Sequence, residues 1–250
     1  MNSSTFGAPL RLSATLLLVG QLLYIVFTLF HTGGDANDHP AIFAAYAGSE
    51  SWTAVHVGQF AAMAILLAGL LALLFVLEGQ AGAAQWAGRF GAASAVAALA
   101  LYGALQAVDG VANKQADLSW VSAPEAEKAA RFASAETIRW VEWGMRSYHD
   151  YALGLALLLF AAAVARTAWA PRPVAYLMGL TGVTYLVQGW LVGAEGFSQT
   201  VSNAIVLGWV LGLARMIWLA VVAWRRQDAE ALRLADEGAG HPDDTRRSSR

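Results

Sequence analysis

Few residues in this chain are able to do chemistry, and most of them recur three or four positions apart. Asp109 follows Tyr102 and Gln106, His56 precedes Gln59, and Glu142 stands between Arg139 and Arg146, with His149 and Asp150 one turn on. Residues at this spacing share one face of a helix, so each set reads as a polar stripe. A carboxyl group among apolar side chains holds its proton toward neutrality and serves as a general acid, whereas one beside arginine stays ionised. Asp109 has no basic residue within a turn and suits the first role. Glu142, flanked by two arginines, suits the second, and such a division is how acid and base assignments arise. Asp109, Glu142 and His56 are therefore the candidate catalytic groups. Gln59, Gln106, Arg139, Arg146, His149, Asp150, Tyr102 and Gln188 are the candidate ligand contacts. The opposing interpretation is that these stripes are headgroup contacts and structural ion ladders, with Glu142–Arg146 and Arg146–Asp150 as i,i+4 pairs.

The elements that position these residues are set by composition. Of the 250 residues 57% are hydrophobic and 14% charged, against roughly 25% charged in a soluble domain. A water-facing globule of this size could not cover itself with so few charges, so lipid is the solvent for most of the chain. Six stretches have the approximately 20 apolar residues that a crossing needs: 12–30, 52–77, 90–111, 143–168, 174–193 and 201–224. The expected fold is all-α, a six-helix transmembrane domain over residues 1–224. A cytoplasmic tail over 225–250 would be helical at first and disordered from Gly238. Short extracytoplasmic helices are expected after the first and third spans. One begins near Pro40; the other begins near Ala123, where Ser122-Ala-Pro-Glu125 has the form of a capping box, and nothing before Gly144 breaks its course into the fourth span. Two Gly-x-x-x-Gly pairs, at Gly189/Gly193 and Gly208/Gly212, allow close helix approach.

Arginines cluster in the 166–173 loop and after the sixth span, while the first and fifth connections carry none, which places both termini in the cytoplasm. With that orientation every polar stripe falls in the outer half of a plasma membrane, above an apolar floor in which Arg215 is the one deep charge. Such groups are costly against lipid and should face one another or water. A polar cavity open to the outside follows, suited to a small lipophilic molecule. An ion- or proton-coupled carrier and a non-catalytic membrane partner are the alternatives.

Several classes are excluded or disfavoured. A net charge of −2 leaves no electrostatic footprint for nucleic acid, and zero cysteines remove thiolate metal sites and disulfides. No HExxH or HxxxH spacing occurs, so no metal site is expected, and the residues name no cofactor. Gly34-Asp35-Ala36, His56-x-Gly58-Gln59, Asp109-Gly110 and Glu142-Trp143-Gly144 together resemble an uncharacterised family of bacterial six-span integral membrane proteins. That resemblance covers about Leu12 to Trp224. It implies six helices and a bacterial origin, but no activity and no site.

Overall fold

The computed structural model describes residues 3–239, with side chains over 7–225. Its described residues are helical apart from short connections: α1 (Ser3–Leu29), α2 (His39–Gly48), α3 (Trp52–Leu77), α4 (Ala83–Ala107), a π-helical turn (Val108–Asn113), α5 (Lys114–Val121), α6 (Glu125–Val164), α7 (Arg172–Glu195) and α8 (Gln199–Ala239). Six stretches of these helices are long and apolar enough to cross a membrane. In lipid an extended segment would leave its peptide groups without partners, so apolar runs of this length close their hydrogen bonds internally as helices. The protein is a multi-pass helical membrane protein.

The six long helices form a closed ring in the order α1–α3–α4–α6–α7–α8 and back to α1. Each neighbour runs antiparallel: Ser13 on α1 meets Gly69 on α3, Ser94 on α4 meets Ala152 on α6, and Ser147 on α6 meets Gly189 on α7. Leu17, Leu70, Leu73, Leu153, Phe160 and Met178 fill the interior. Leu22, Phe75, Phe90, Leu155, Leu180 and Val210 are exposed on the outside, where they meet lipid.

The closest helix approaches depend on missing side chains. A Cβ on Gly20 would lie 2.5 Å from the Leu66 amide nitrogen, and those on Gly154 and Gly182 would each come within 2.9 Å of the other's carbonyl oxygen. Gly189, one of the expected pairs, packs in the same way against the Ser147 carbonyl.

Four local expectations are corrected. Helix α4 starts at Ala83 and continues through the π turn and α5 to Val121, so the third crossing helix exceeds 90–111 at both ends. The fourth helix runs on unbroken from the segment before it, Glu125 to Val164, as the absence of a breaker before Gly144 implies, but it stops short of Ala168. Ser122 does not cap it. Its hydroxyl donates backward to the Leu118 carbonyl, so Ser122 closes α5 and α6 starts from Pro124. Lastly, α8 runs through Gly238 to Ala239, and the rest of the expected disordered tail lies outside the described residues.

Helices α2 and α5 pack together across one end of the ring. Asp38 caps α2 by accepting from the Ala41 amide. At its other end Lys114 donates to the carbonyls of Tyr46, Ala47 and Ser49, each at 2.8 Å. A cation at a helix C-terminus satisfies the last carbonyls and complements the helix dipole. This end of the bundle contains the polar residues.

Candidate functional site

A cavity of about 630 Å³ opens among α1, α4, α6 and α8 at that end. Residues 32–36 and 197–199 line it, so its mouth lies at the loops. Its lining includes the polar side chains of Gln59, Gln106, Asp109, Arg139, Glu142 and Arg146, mostly on α4 and α6, and the apolar Ile205 and Trp209 on α8. The volume suits a small-molecule site.

The polar cluster is built from three helices. On α3, the His56 Nδ1 lies 2.7 Å from the Trp52 carbonyl oxygen, one turn back. A carbonyl only accepts, so Nδ1 carries a proton and Nε2 is the free position. That Nε2 stands 3.1 Å from Asp109 Oδ2. Asp109 reaches it from the π turn, an arrangement often found at functional sites. Gly110 permits the approach, since a Cβ there would lie 2.8 Å from the His56 Cβ. The Trp52 indole donates to the Asp109 carbonyl and ties the turn to α3.

Asn113 joins this pair to α6. Its amide donates to Asp109 Oδ1 at 3.3 Å and to Glu142 Oε2 at 2.6 Å. Arg139 donates to the same Glu142 oxygen at 2.5 Å and to the Ala36 carbonyl, while its guanidinium lies 4.9 Å from the Phe197 ring centre. Charge-assisted hydrogen bonds of this kind are shorter and stronger than neutral ones. Below them Arg146 donates to Asp150 at 2.9 Å and to the Tyr24 hydroxyl at 3.3 Å. Three polar atoms of lining residues lack a hydrogen-bond partner: the Tyr102 hydroxyl, Gln106 Oε1 and Arg139 Nε.

Asp109, His56 and Glu142 therefore lie in one hydrogen-bonded and charge-paired chain. Asp109 has no basic residue within a turn of its own helix, but His56 reaches it from α3, so it is not an isolated acid. The expected Glu142–Arg146 pair does not form; Glu142 takes Arg139 three residues back, and Arg146 takes Asp150. Gln59 lines the cavity and donates to Thr28. His56, His149, Asp150 and Gln188 do not line it, and His56 meets the cavity only through Asp109. His149 donates to the Ala98 carbonyl behind Tyr102, and Gln188 donates to Ala204 between α7 and α8.

From the sequence, Tyr24 and His31 fall on the polar stripe of the first span, with His31 read as a headgroup contact, and Tyr46 is not singled out. The His31 ring lies 5.1 Å from those of His56 and Trp52 and 5.7 Å from that of Tyr46. Burial holds the His31 imidazole below its ordinary value, and burial raises the Tyr46 hydroxyl well above its own. Both are therefore neutral near pH 7. Their aromatic character and position at helix ends offered no local signal that separates them from an interfacial belt.

Arg215 is buried on α8, with its Nε and Nη1 lacking hydrogen-bond partners, and it forms no ion pair among the described residues. The four short motifs noted above converge on the cavity: Gly34, Asp35, Ala36, Gln59, Asp109 and Glu142 all line it. No family model, curated protein or solved structure matches this chain.

Proposed function

We propose that the protein binds a small lipophilic molecule carrying a polar group and acts on it by acid–base chemistry. The observation that carries this reading is the pairing on one cavity wall. One carboxyl group shares a proton with an imidazole (Asp109 with His56). A second accepts charge-assisted hydrogen bonds from a guanidinium and an amide (Glu142 with Arg139 and Asn113). Two carboxyl groups in unlike surroundings are the arrangement that divides acid from base. The apolar Trp209 and Ile205 on α8 would receive a hydrocarbon body, and Gln106 and Tyr102 would meet its polar group.

The same proposal places a single transmembrane domain over 1–224 in a bacterial plasma membrane, with the cavity facing out and both termini and the 225–250 tail in the cytoplasm. Reporter fusions at Gly48 and after residue 226 should report opposite sides, and the same side for both refutes the topology. The test of function is mass spectrometry of the organic extract from purified protein. A lipid or prenyl compound should be retained by the parent protein and lost from a folded Asp109→Asn variant, which keeps the shape but not the ionisable proton.

A second reading, an ion-coupled carrier, draws on Arg215, because a buried guanidinium with free donors can serve a passing anion. Flux in proteoliposomes with no retained compound favours it over the first.

A further inference from the structure

We propose that His31, His56 and Asp109 form a binding site for a divalent first-row transition-metal ion on the cavity wall. This deepens the preceding reading, because the ion would sit where the Asp109–His56 proton sits.

The donor atoms are already gathered. One ligand atom from each residue lies within 4.8 Å of the others, and among the described residues this is the one such gathering of histidine and carboxylate groups. His56 Nε2 and Asp109 Oδ2 are 3.1 Å apart. Bonds of about 2.0–2.1 Å to a tetrahedral ion give an edge of about 3.3 Å, so this pair is already at ligand spacing. His31 lies beyond the end of α1, in the short connection to α2, with its ligand atom within 4.8 Å of the other two.

The second argument is tautomeric. His56 Nδ1 lies 2.7 Å from the Trp52 carbonyl oxygen and His31 Nδ1 lies 3.0 Å from the Thr32 carbonyl oxygen. Each Nδ1 must donate, which leaves both Nε2 lone pairs for a cation. A histidine whose other nitrogen is bound to a backbone carbonyl is the usual state of a metal ligand, since that bond fixes the tautomer and the ring plane. Asp109 is oriented in the same manner, with Oδ1 accepting from Asn113 and Oδ2 left for the ion. An Nε2 lone pair facing a carboxylate oxygen at 3.1 Å is repulsive unless a proton or a metal ion lies between them.

The third argument is the ligand set and its surroundings. Two imidazoles and one carboxylate suit zinc, or iron in the 2-His-1-carboxylate arrangement. His31 and Asp109 line the cavity, so the fourth position faces a ligand rather than protein. Three protein ligands with one open position is the pattern of catalytic sites, not of closed structural ones. Local spacing could not reveal the trio, because each ligand comes from a different part of the chain.

The experiment uses full-length, EDTA-treated protein in detergent, titrated with Co²⁺ or Zn²⁺ alone. One Co²⁺ per chain should bind with the visible bands of a four-coordinate ion, and Zn²⁺ should displace it. His31→Ala and Asp109→Asn should each weaken binding by more than the approximately 10–100-fold that loss of an outer-shell partner such as Asn113 causes. His39→Gln, whose ring pairs with Glu136 outside the site, should bind as the parent does. Circular dichroism and thermal melting check that each variant is folded. No stoichiometric binding by folded parent protein, or undiminished binding by both His31→Ala and Asp109→Asn, overturns the proposal. Neither result bears on retention of a lipophilic compound, so the two readings fail separately.

Discussion

Replacing Arg146 by methionine removes the guanidinium that holds Asp150. Asp150 is 0% exposed, Arg146 donates to its Oδ2 at 2.9 Å, and its Oδ1 has no hydrogen-bond partner. His149 is 3.9 Å away and gives its Nδ1 proton to Ala98, so the neutral ring offers no replacement. Methionine keeps much of the arginine's apolar contact, which leaves the stranded carboxylate as the main effect. Removing one member of a buried pair costs about 3–5 kcal/mol. The hydrogen bond to Tyr24, at 3.3 Å, adds little. For a chain of this length each kcal/mol shifts Tm by about 2–4 °C, so the variant should melt about 6–20 °C lower. The double variant Arg146→Met/Asp150→Leu should recover most of the loss, because an apolar pair of similar volume replaces a desolvated ion pair at little or no cost. Thermal unfolding in detergent, followed by tryptophan fluorescence, measures all three proteins. A single variant within about 1 kcal/mol of the parent, or a double variant no better than the single, refutes the reasoning.

Two further predictions rest on packing and on protonation. Gly20→Ala forces α1 off the Leu66 backbone and should cost about 1–3 kcal/mol. Gly144→Ala meets nothing within 4 Å and should instead raise Tm slightly, by helix propensity; equal effects of the two refute the close-approach account. In metal-free protein His31 is held below its ordinary value of 6.5, chiefly by burial, with His56 and Arg139 adding to that and Asp109 opposing it. The unfolded chain therefore takes up this proton first. Stability should fall as pH drops from about 7 toward the folded value, and His31→Gln should flatten that slope in thermal melts. An unchanged slope shows that His31 does not contribute to it.

The sequence by itself determined what the solvent decides. Apolar runs near 20 residues must become membrane-crossing helices, because lipid offers peptide groups no partner, and helical spacing then collects Tyr102, Gln106 and Asp109 on one face. The α2 start was legible for a similarly local reason, since Asp38 and Pro40 satisfy or remove orphan amides at a helix N-terminus. Spacing along one helix states which residues share a face. It does not state which face meets which neighbour. Glu142 has Arg139 and Arg146 within reach on its own helix, and the choice between them is made elsewhere: Ala36 and Phe197 hold the Arg139 guanidinium, while Asp150 and Tyr24 engage Arg146. Likewise His56 and Asp109 are 53 positions apart, and only the ring closure, the π turn and the missing Cβ of Gly110 bring them to 3.1 Å. His31 joins them solely because α1 ends beside the start of α3. Tertiary packing alone decided these encounters, because it sets contacts between elements whose separate sequences carry no record of one another.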